Sequence, residues 1–199
     1  MGKFYDFIDG FKLKNEFGIR IFVETETAHG KQFLDYMRFG FDDYYSCEIN
    51  EEQFNIAVKN VGHLTNLHLY NLSSVDFLSV ILPQIKDIPT VFWLDAHLPG
   101  SEIGLPFSYE KDKSLRMPLE EEIKLICELK NTEKDVIMCD DLRHYEDDRY
   151  SAGIWKFRKE LGGDNINFIY ENFEKTHDIV KNYVSGGCAI ITPKKNITI

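Results

Sequence analysis

Residues 19–30 read IRIFVETETAHG, a short apolar run that ends at the acidic Glu24 and passes through a turn to Gly30. An apolar run of this length before a turn predicts a buried β-strand, which we place at residues 19–23. In an open α/β sheet, ligands bind beyond the carboxyl ends of the strands, so Glu24 is a candidate ligand-binding residue. The alternative is that Glu24 only caps the helix that follows.

Six further apolar runs of strand length alternate with amphipathic segments along the chain. The other strand candidates are residues 44–47, 67–70, 90–94, 136–139, 166–170 and 188–192. The helical candidates lie near residues 31–39, 51–61, 74–86 and 118–130. Alternating strands and helices predict a mostly parallel sheet that is covered by helices on both faces.

The last third of the chain departs from this alternation. Ser185, Gly186 and Gly187 form a turn signal directly before the final strand candidate, which predicts a hairpin and a reversed last strand. No repeat or Pro/Gly/Ser-rich linker divides the sequence, so we expect one domain over residues 1–199. The predicted fold class is α/β, a three-layer Rossmann-like fold with a seven-stranded, mostly parallel sheet and a reversed last strand.

Composition limits the classes of function. The 199 residues include 23 basic and 33 acidic side chains, for a formal net charge of −10. This balance argues against nucleic-acid binding, which needs a dense Lys/Arg surface. The four cysteines are far apart without CxxC spacing and are interpreted as reduced core residues. No apolar run is long enough for a signal peptide or a membrane span, so we expect a cytoplasmic protein without a membrane partner.

A second acid follows the second predicted strand. Glu48 comes roughly 20 residues after the first junction, which is the offset of an acid that accepts both hydroxyls of a ribose. A carboxylate has two acceptor oxygens, and a ribose diol has two donors. Glu48 could also begin a helix that is N-capped at Asn50, an interpretation that is compatible with ligand binding.

Carboxylates also follow the fourth and fifth predicted strands. Asp95 comes after residues 90–94, and Asp140 and Asp141 come after residues 136–139. Because these strand ends meet at one edge of the sheet, the three acids would repel one another unless a cation or an arginine lies among them. Mg²⁺ takes oxygen ligands of this kind. The sequence therefore predicts a Mg²⁺ or Mn²⁺ site.

Over about residues 18–192, this order of elements resembles the class I S-adenosylmethionine-dependent methyltransferases. The resemblance implies that S-adenosylmethionine is the cofactor, with its methionine end at the first junction, its ribose at Glu48 and its adenine beside the turn after the third strand. The implied cofactor-binding residues are Glu24, Thr25, Gly30, Glu48, Ile49, Ser73 and Asp95.

The first junction departs from the family's E/D-x-G-x-G-x-G pattern. Glu26 and Ala28 stand where glycines are usual, and Gly30 is the one glycine that is retained. Glycine tolerates unusual backbone angles and close approach of a cofactor. Glu26 could therefore weaken cofactor binding, reposition the loop or attract the ammonium group of the cofactor. A nicotinamide cofactor is less favoured because the G-x-G-x-x-G turn is also missing.

The three aspartates are similar to the metal ligands of the catechol-type O-methyltransferases. This resemblance implies transfer of a methyl group to an oxygen, and Asp95 would belong to the catalytic residues. His97 is the first candidate for the base and His144 the second, although either could be an ordinary loop residue. The lysine that serves as the base in catechol-type enzymes is Leu98 here.

The acceptor is expected to be a hydroxyl of a small molecule or of a sugar or glycan. The segments FWLDAH and CDDLR are similar to uncharacterised methyltransferase-like proteins of bacteria and viruses, some of which are associated with glycan genes. Residues 96–117 form a long connection that predicts a lid. Tyr109 and Tyr145 are candidates for a wall against the acceptor, and Trp155 is a candidate core residue.

Two other functions remain open from the sequence. One is a metal-independent methyltransferase in which Asp95 holds the amino group of the cofactor and His97 acts as the base. The other is a non-catalytic cofactor-binding module that kept the fold after losing the glycine turn.

Overall fold

One sheet of seven strands organises the computed structural model, which describes residues 4–101, 104–153, 156–161, 163 and 165–195. The strands are β1 Ile21–Glu24, β2 Asp43–Cys47, β3 Leu67–Tyr70, β4 Thr90–Leu94, β5 Val136–Cys139, β6 His177–Asn182 and β7 Cys188–Pro193. Their order is β3-β2-β1-β4-β5-β7-β6. All neighbouring strands are parallel except that β7 is antiparallel to both β5 and β6. The predicted fold class is confirmed.

Helices cover both faces of this sheet. The α-helices of the described residues are α1 Phe4–Phe7, α2 Gly10–Phe17, α3 Phe33–Tyr36, α4 Glu51–Val61, α5 Ser74–Ile81, α6 Lys113–Arg116, α7 Leu119–Leu129, α8 Arg158–Leu161 and α9 Asn167–Phe173. The longest, α4 and α7, have 11 residues each. In the described part of the chain, no helix is long and apolar enough to cross a membrane.

The central strands separate two apolar cores. Successive side chains of a strand point to opposite faces of the sheet. On β4, Phe92 accordingly packs in the core beneath α5 and α7, whereas Trp93 packs in the core formed with α1 and α3. All residues of β1, β4 and β5 are buried, as expected for parallel strands that are covered on both faces.

One predicted strand is wrong and one strand was not predicted. Residues 166–170 fall largely within α9, because Ile169 and Phe173 recur at helical spacing and are fully buried. A short apolar run does not by itself distinguish a buried helix from a strand. The sixth strand is β6, an edge strand that is buried mainly at His177 and has no continuous apolar pattern. The predicted turn at residues 185–187 does connect β6 to β7.

Candidate functional site

A cleft lies at the carboxyl ends of β1, β2, β3 and β4. Its lining residues are Thr25, Glu26, Cys47, Glu48, Ile49, Leu72, Ser73, Ser74, Ala96, His97, Pro99 and Leu115. It contains about 420 Å³ of empty space, part of it open to solvent. Of the predicted cofactor-binding residues, Thr25, Glu48, Ile49 and Ser73 line the cleft.

The other three predicted cofactor-binding residues are not in this lining. Glu24 is buried and accepts a hydrogen bond from the Ser46 hydroxyl at 3.3 Å; burial and the charge of Glu26 raise its pKa well above the ordinary value. Gly30 has a φ of +70°, and a Cβ there would lie 2.8 Å from Cγ2 of Val61. Gly30 therefore permits the loop to pack on α4. Asp95 lies behind the lining and is 8% exposed.

In the turn after β1, where two of the usual glycines are replaced, one residue that is not glycine has a left-handed backbone conformation. Ala28 has a φ of +45°, and its N–H donates to Oε2 of Glu48 at 2.9 Å. Oε1 of Glu48 accepts from the N–H of Asn50 at 2.8 Å. The Glu48 carboxylate thus holds the turn after β1 while it lines the cleft. Ala28 adopts a conformation that costs an L-residue roughly 1–2 kcal/mol.

Replacing Ala28 by glycine should therefore raise the free energy of unfolding by roughly 0.5–1 kcal/mol, because glycine relieves this cost and loses a smaller amount through the entropy of the unfolded chain. Urea unfolding measures the change. The matched control is Ala152→Gly, at an exposed turn residue without positive φ, which should lose stability. An equal loss in both variants would contradict strain at Ala28.

His97 lies beside the cleft at the centre of an acid cluster, which consists of Glu26, Asp95, Asp140 and Asp141. Its Nδ1 lies 2.6 Å from the carbonyl oxygen of Asp95, and its Nε2 lies 3.3 Å from Oδ2 of Asp141. A carbonyl oxygen only accepts hydrogen bonds, so Nδ1 carries a proton and Nε2 faces the carboxylate. Among the described residues, two sets of metal-ligand atoms converge within 4.8 Å, and both contain His97. One set is His97, Asp141 and His144, and the other is Glu26, Asp95 and His97.

The charges around His97 shift several pKa values. Burial alone would lower the pKa of His97, but the hydrogen bond to Asp141 and the charges of Glu26, Asp141 and Asp140 raise it to about 9. Burial would raise the pKa of Asp141, but His97 lowers it well below its usual range. Burial and the charge of Asp141 raise the pKa of Asp140 to about 7. Burial and the charge of Asp140 raise the pKa of Asp95.

The predicted metal ligands have oxygen atoms that suit a cation, but the three carboxylates do not converge on one point. Oδ1 of Asp95 and Oδ2 of Asp140 are buried and have no hydrogen-bond partner among the described residues. In the described part of the chain, no set of ligand atoms that converge within 4.8 Å contains all three of Asp95, Asp140 and Asp141. Instead, Asp141 meets two histidines, and Asp95 meets His97 and Glu26. Glu26, two residues after Glu24, was not predicted as a metal ligand.

His144 lies behind His97 and does not line the cleft. The centroids of the two imidazole rings are 4.6 Å apart, and Nδ1 of His144 is 4.0 Å from Oδ2 of Asp141. Burial and the charge of His97 lower the pKa of His144 to about 3. His144 is therefore a neutral imidazole at physiological pH. Of the three predicted catalytic residues, His97 alone is in the cleft lining, and Asp95 and His144 are buried next to it.

The segment after β5 is folded tightly around Asp141. Asp141 has φ +48° and ψ +46°, a left-handed conformation. The N–H groups of Leu142 and Arg143 donate to the carbonyl oxygens of Gly187 and Gly186 at 3.1 and 2.9 Å. A Cβ at Gly186 would lie 1.7 Å from Oδ1 of Asp141. The glycine in the β6–β7 turn therefore fixes where the Asp141 carboxylate can lie.

Thr25 connects the two strand ends that form the cleft. Its Oγ1 accepts hydrogen bonds from the N–H groups of Asp95 and Ala96 at 3.1 and 3.3 Å. This contact fixes the backbone directly before His97. Thr25 was predicted as a cofactor contact but not as a residue that orients the end of β4.

The predicted wall residues are not in the main cleft. Tyr109 is 60% exposed and lines an adjacent depression with Ile49 and Pro99. Tyr145 is buried against Phe168, with ring centroids 6.4 Å apart, and is part of the core. Trp155 lies outside the described residues.

Comparisons with known proteins give structural matches. No protein-family model matches the sequence, and no curated protein matches it. A Staphylococcus aureus protein assigned as a caffeoyl-CoA O-methyltransferase has a TM-score of 0.64 and 12% identity, over 98% of this chain and 85% of that chain. A Bacillus cereus O-methyltransferase in complex with SAH has a TM-score of 0.61 and 14% identity, over 98% and 83%. An rRNA methylase from Streptococcus thermophilus has a TM-score of 0.52 and 12% identity, over 98% and 99%.

Two of these neighbours are named for different substrates, caffeoyl-CoA and rRNA, and all three have low sequence identity to this chain. The similarity shows a shared fold. It does not show a shared substrate, because one fold hosts many functions. The chain therefore has the Rossmann-like fold of the class I S-adenosylmethionine-dependent methyltransferases.

Proposed function

We propose that this protein is an S-adenosylmethionine-dependent O-methyltransferase that acts on a hydroxyl of a small molecule or sugar. The observation that carries the proposal is that the cleft lined by Glu48 lies beside the acid cluster around His97 at one sheet edge. O-methyltransferases of the same fold, one of them with bound SAH, support it. The net charge of −10 favours a small acceptor over the RNA substrate of the rRNA methylase.

The cleft offers a contact for each end of the cofactor. Glu48 would accept the two ribose hydroxyls, because each oxygen that binds a backbone N–H keeps a second lone pair. Leu72 and Ser73 would lie against the adenine. Glu26, which lines the cleft, would pair with the ammonium group. Glu26, which stands at a position where glycine is usual, would then be a binding residue.

Methyl transfer is an in-line displacement. The acceptor oxygen attacks the methyl carbon, and the C–S bond breaks with its electron pair left on sulfur. The proton of the acceptor hydroxyl would pass to a carboxylate of the cluster around His97. The acceptor would approach from the acid cluster, where His97 lines the cleft. The cluster of acids and histidines around His97 would hold a divalent cation. When bound, that cation lowers the pKa of the acceptor hydroxyl and neutralises the carboxylates.

A metal-independent methyltransferase with His97 as the base is the second candidate. Contact of His97 with the cleft favours it. Because the pKa of His97 is raised to about 9, such a base would be mostly protonated at neutral pH. Activity in excess chelator should then rise with pH until about pH 9. Loss of activity in chelator at every pH would eliminate this candidate.

Calorimetric titration with S-adenosylmethionine and with SAH tests the proposed function. We expect saturable binding of both, followed by methyl transfer to members of a panel of phenols and sugars when metal is added. Failure to bind either molecule would contradict the proposal and favour a non-catalytic module. Binding without transfer to any hydroxyl acceptor, with transfer to an amine or thiol, would contradict the oxygen acceptor.

The connection between β4 and α7 should close over the bound cofactor. Pro99 and Leu115 line the cleft from this segment, and the N–H of Leu98 donates to the carbonyl oxygen of Arg116 at 2.8 Å. Binding should therefore slow hydrogen exchange of the amides near Leu98 and Arg116. β6, at the far edge of the sheet from β1 to β3, serves as the control segment. Equal exchange with and without cofactor and acceptor would show that the connection is not a lid.

A further inference from the structure

We propose that His97, His144 and Asp141 form a two-histidine, one-carboxylate site that prefers a transition-metal ion such as Mn²⁺, Co²⁺ or Zn²⁺ to Mg²⁺. As a metal centre for methyl transfer this site rests on the proposed function. Its ligand set can be tested without cofactor or acceptor. The site differs from the all-carboxylate trio expected from the sequence, because imidazole nitrogens replace two of the carboxylate ligands.

Distances among the ligand atoms support this set. Nε2 of His97 is 3.3 Å and Nδ1 of His144 is 4.0 Å from Oδ2 of Asp141, and one ligand atom from each residue lies within 4.8 Å of the others. Tetrahedral ligands with bonds of about 2.1 Å are about 3.4 Å apart. The Asp141–His144 distance of 4.0 Å would shorten by about 0.6 Å, and an atom pair at the limit of 4.8 Å by about 1.4 Å, to reach this ligand spacing.

The hydrogen bond of the Nδ1 atom of His97, which is not the proposed metal ligand, matches that of a metal-binding histidine. Such a histidine usually donates its other ring N–H to a carboxylate or backbone carbonyl, which fixes the ring and directs the remaining nitrogen at the metal. Nδ1 of His97 makes this bond to the carbonyl oxygen of Asp95 at 2.6 Å. Thr25 in turn holds the Asp95 and Ala96 amides. Two strands thus orient the Nε2 atom.

Two unpartnered carboxylate oxygens give independent evidence for a cation. Asp95 and Asp140 are 8% and 4% exposed, and Oδ1 of Asp95 and Oδ2 of Asp140 have no hydrogen-bond partner among the described residues. Oδ1 of Asp95 is 3.8 Å from Nδ1 of His97. A buried carboxylate oxygen without a partner is costly. An ion at Asp141 would attract both oxygens, directly or through bound water.

The two imidazoles determine which metal is favoured. Mg²⁺ prefers oxygen ligands and gives up water reluctantly, whereas imidazole suits the later divalent ions of the first transition series. Affinity at nitrogen-containing sites rises from Mn²⁺ to Co²⁺. A site with two imidazoles and one carboxylate should therefore discriminate against Mg²⁺.

The first test uses wild-type protein without cofactor. Calorimetric titration should show Co²⁺ binding roughly 100-fold more tightly than Mg²⁺, with Mn²⁺ between them. Electron spin echo spectra of bound Mn²⁺ should contain the ¹⁴N modulation of coordinated imidazole. Equal affinities for Co²⁺ and Mg²⁺, absence of ¹⁴N modulation or absence of metal binding would each overturn the proposal, whether or not S-adenosylmethionine binds.

Variants then test the ligands separately. His97→Gln and His144→Gln should each weaken Co²⁺ binding roughly 10- to 100-fold and leave Mg²⁺ binding almost unchanged. Gly186→Ala, which displaces the Asp141 carboxylate, should weaken binding of both ions. His63→Gln, at an exposed histidine outside the site, is the matched control. Co²⁺ binding in the site variants equal to that of the control would also overturn the proposal.

Discussion

At pH 8, a Glu122→Gln variant is expected to be about 2–3 kcal/mol more stable than the wild-type protein, and at pH 5 nearly equal to it. Glu122 of α7 is fully buried, and neither carboxylate oxygen has a hydrogen-bond partner among the described residues. Burial raises its pKa from 4.5 to about 7, although the nearby hydroxyls of Ser74 and Thr25 and the charge of His97 oppose the increase.

The sign follows from proton binding. Between pH 4.5 and 7 the folded protein holds a proton on Glu122 that the unfolded chain has released, so the wild-type protein loses stability as the pH rises through this window. A pKa difference of one corresponds to about 1.4 kcal/mol, which gives roughly 3 kcal/mol as the upper value. Glutamine does not titrate and avoids this loss.

Urea unfolding of both proteins at pH 5 and pH 8 measures the difference directly. Glu121→Gln is the matched control, because Glu121 is the neighbouring residue of the same helix but its side chain is 49% exposed. This control should show no pH-dependent gain. A Glu122→Gln variant that behaves like the control at both pH values would contradict a raised pKa at Glu122.

The central strands β4 and β5 could be predicted from the sequence because burial on both faces leaves a continuous apolar run. Residues 90–94 and 136–139 were predicted with the bounds of these strands, all of whose residues are buried. β3 and β6 are both edge strands; residues 67–70 of β3 were predicted with their bounds, whereas β6, where only His177 is buried, was missed. The run at 166–170 was assigned to a strand although its side chains pack as one face of a helix.

The site was predictable as a set of strand ends but not as a set of contacts. Parallel topology alone brings Glu48, Asp95 and Asp140 to one edge. Whether His97 turns toward Asp141 depends on the left-handed backbone of Asp141 and on the space left by Gly186. These features come from segments that are distant in the sequence but adjacent in the fold, and no local pattern encodes them.

Gly30 is a residue whose motif position was predicted correctly but whose observed contacts are with the protein. The resemblance implied a cofactor contact, yet its missing side chain leaves room for Val61 and Ala57 of α4. The hydrogen bond from the N–H of Ala28 to Glu48 holds the turn instead. A glycine in a motif can therefore be required by packing between chain segments as well as by a ligand.

Replacing Glu48 by alanine should weaken S-adenosylmethionine binding by about 1.5–3 kcal/mol, or roughly 10- to 150-fold, the scale of hydrogen bonds to a charged group. Its carboxylate lines the cleft, is 5% exposed and is held by the N–H groups of Ala28 and Asn50. Because the ribose contact does not involve the sulfonium, SAH should lose affinity by a similar factor. Calorimetry with both molecules measures the two losses.

Glu48 also holds the turn at Ala28, so a loss of binding could come from the loop rather than from the ribose. Urea unfolding of the variants reports the turn separately from the ribose contact. Glu48→Gln keeps one oxygen that accepts from a backbone N–H and replaces the other by an NH2 group, which can only donate. It should bind more tightly than Glu48→Ala but more weakly than the wild type. Glu52→Ala, at an exposed position of α4, controls for charge near the cleft. Unchanged affinity in a folded Glu48→Ala protein would place the ribose elsewhere and remove the main argument for a cofactor in this cleft.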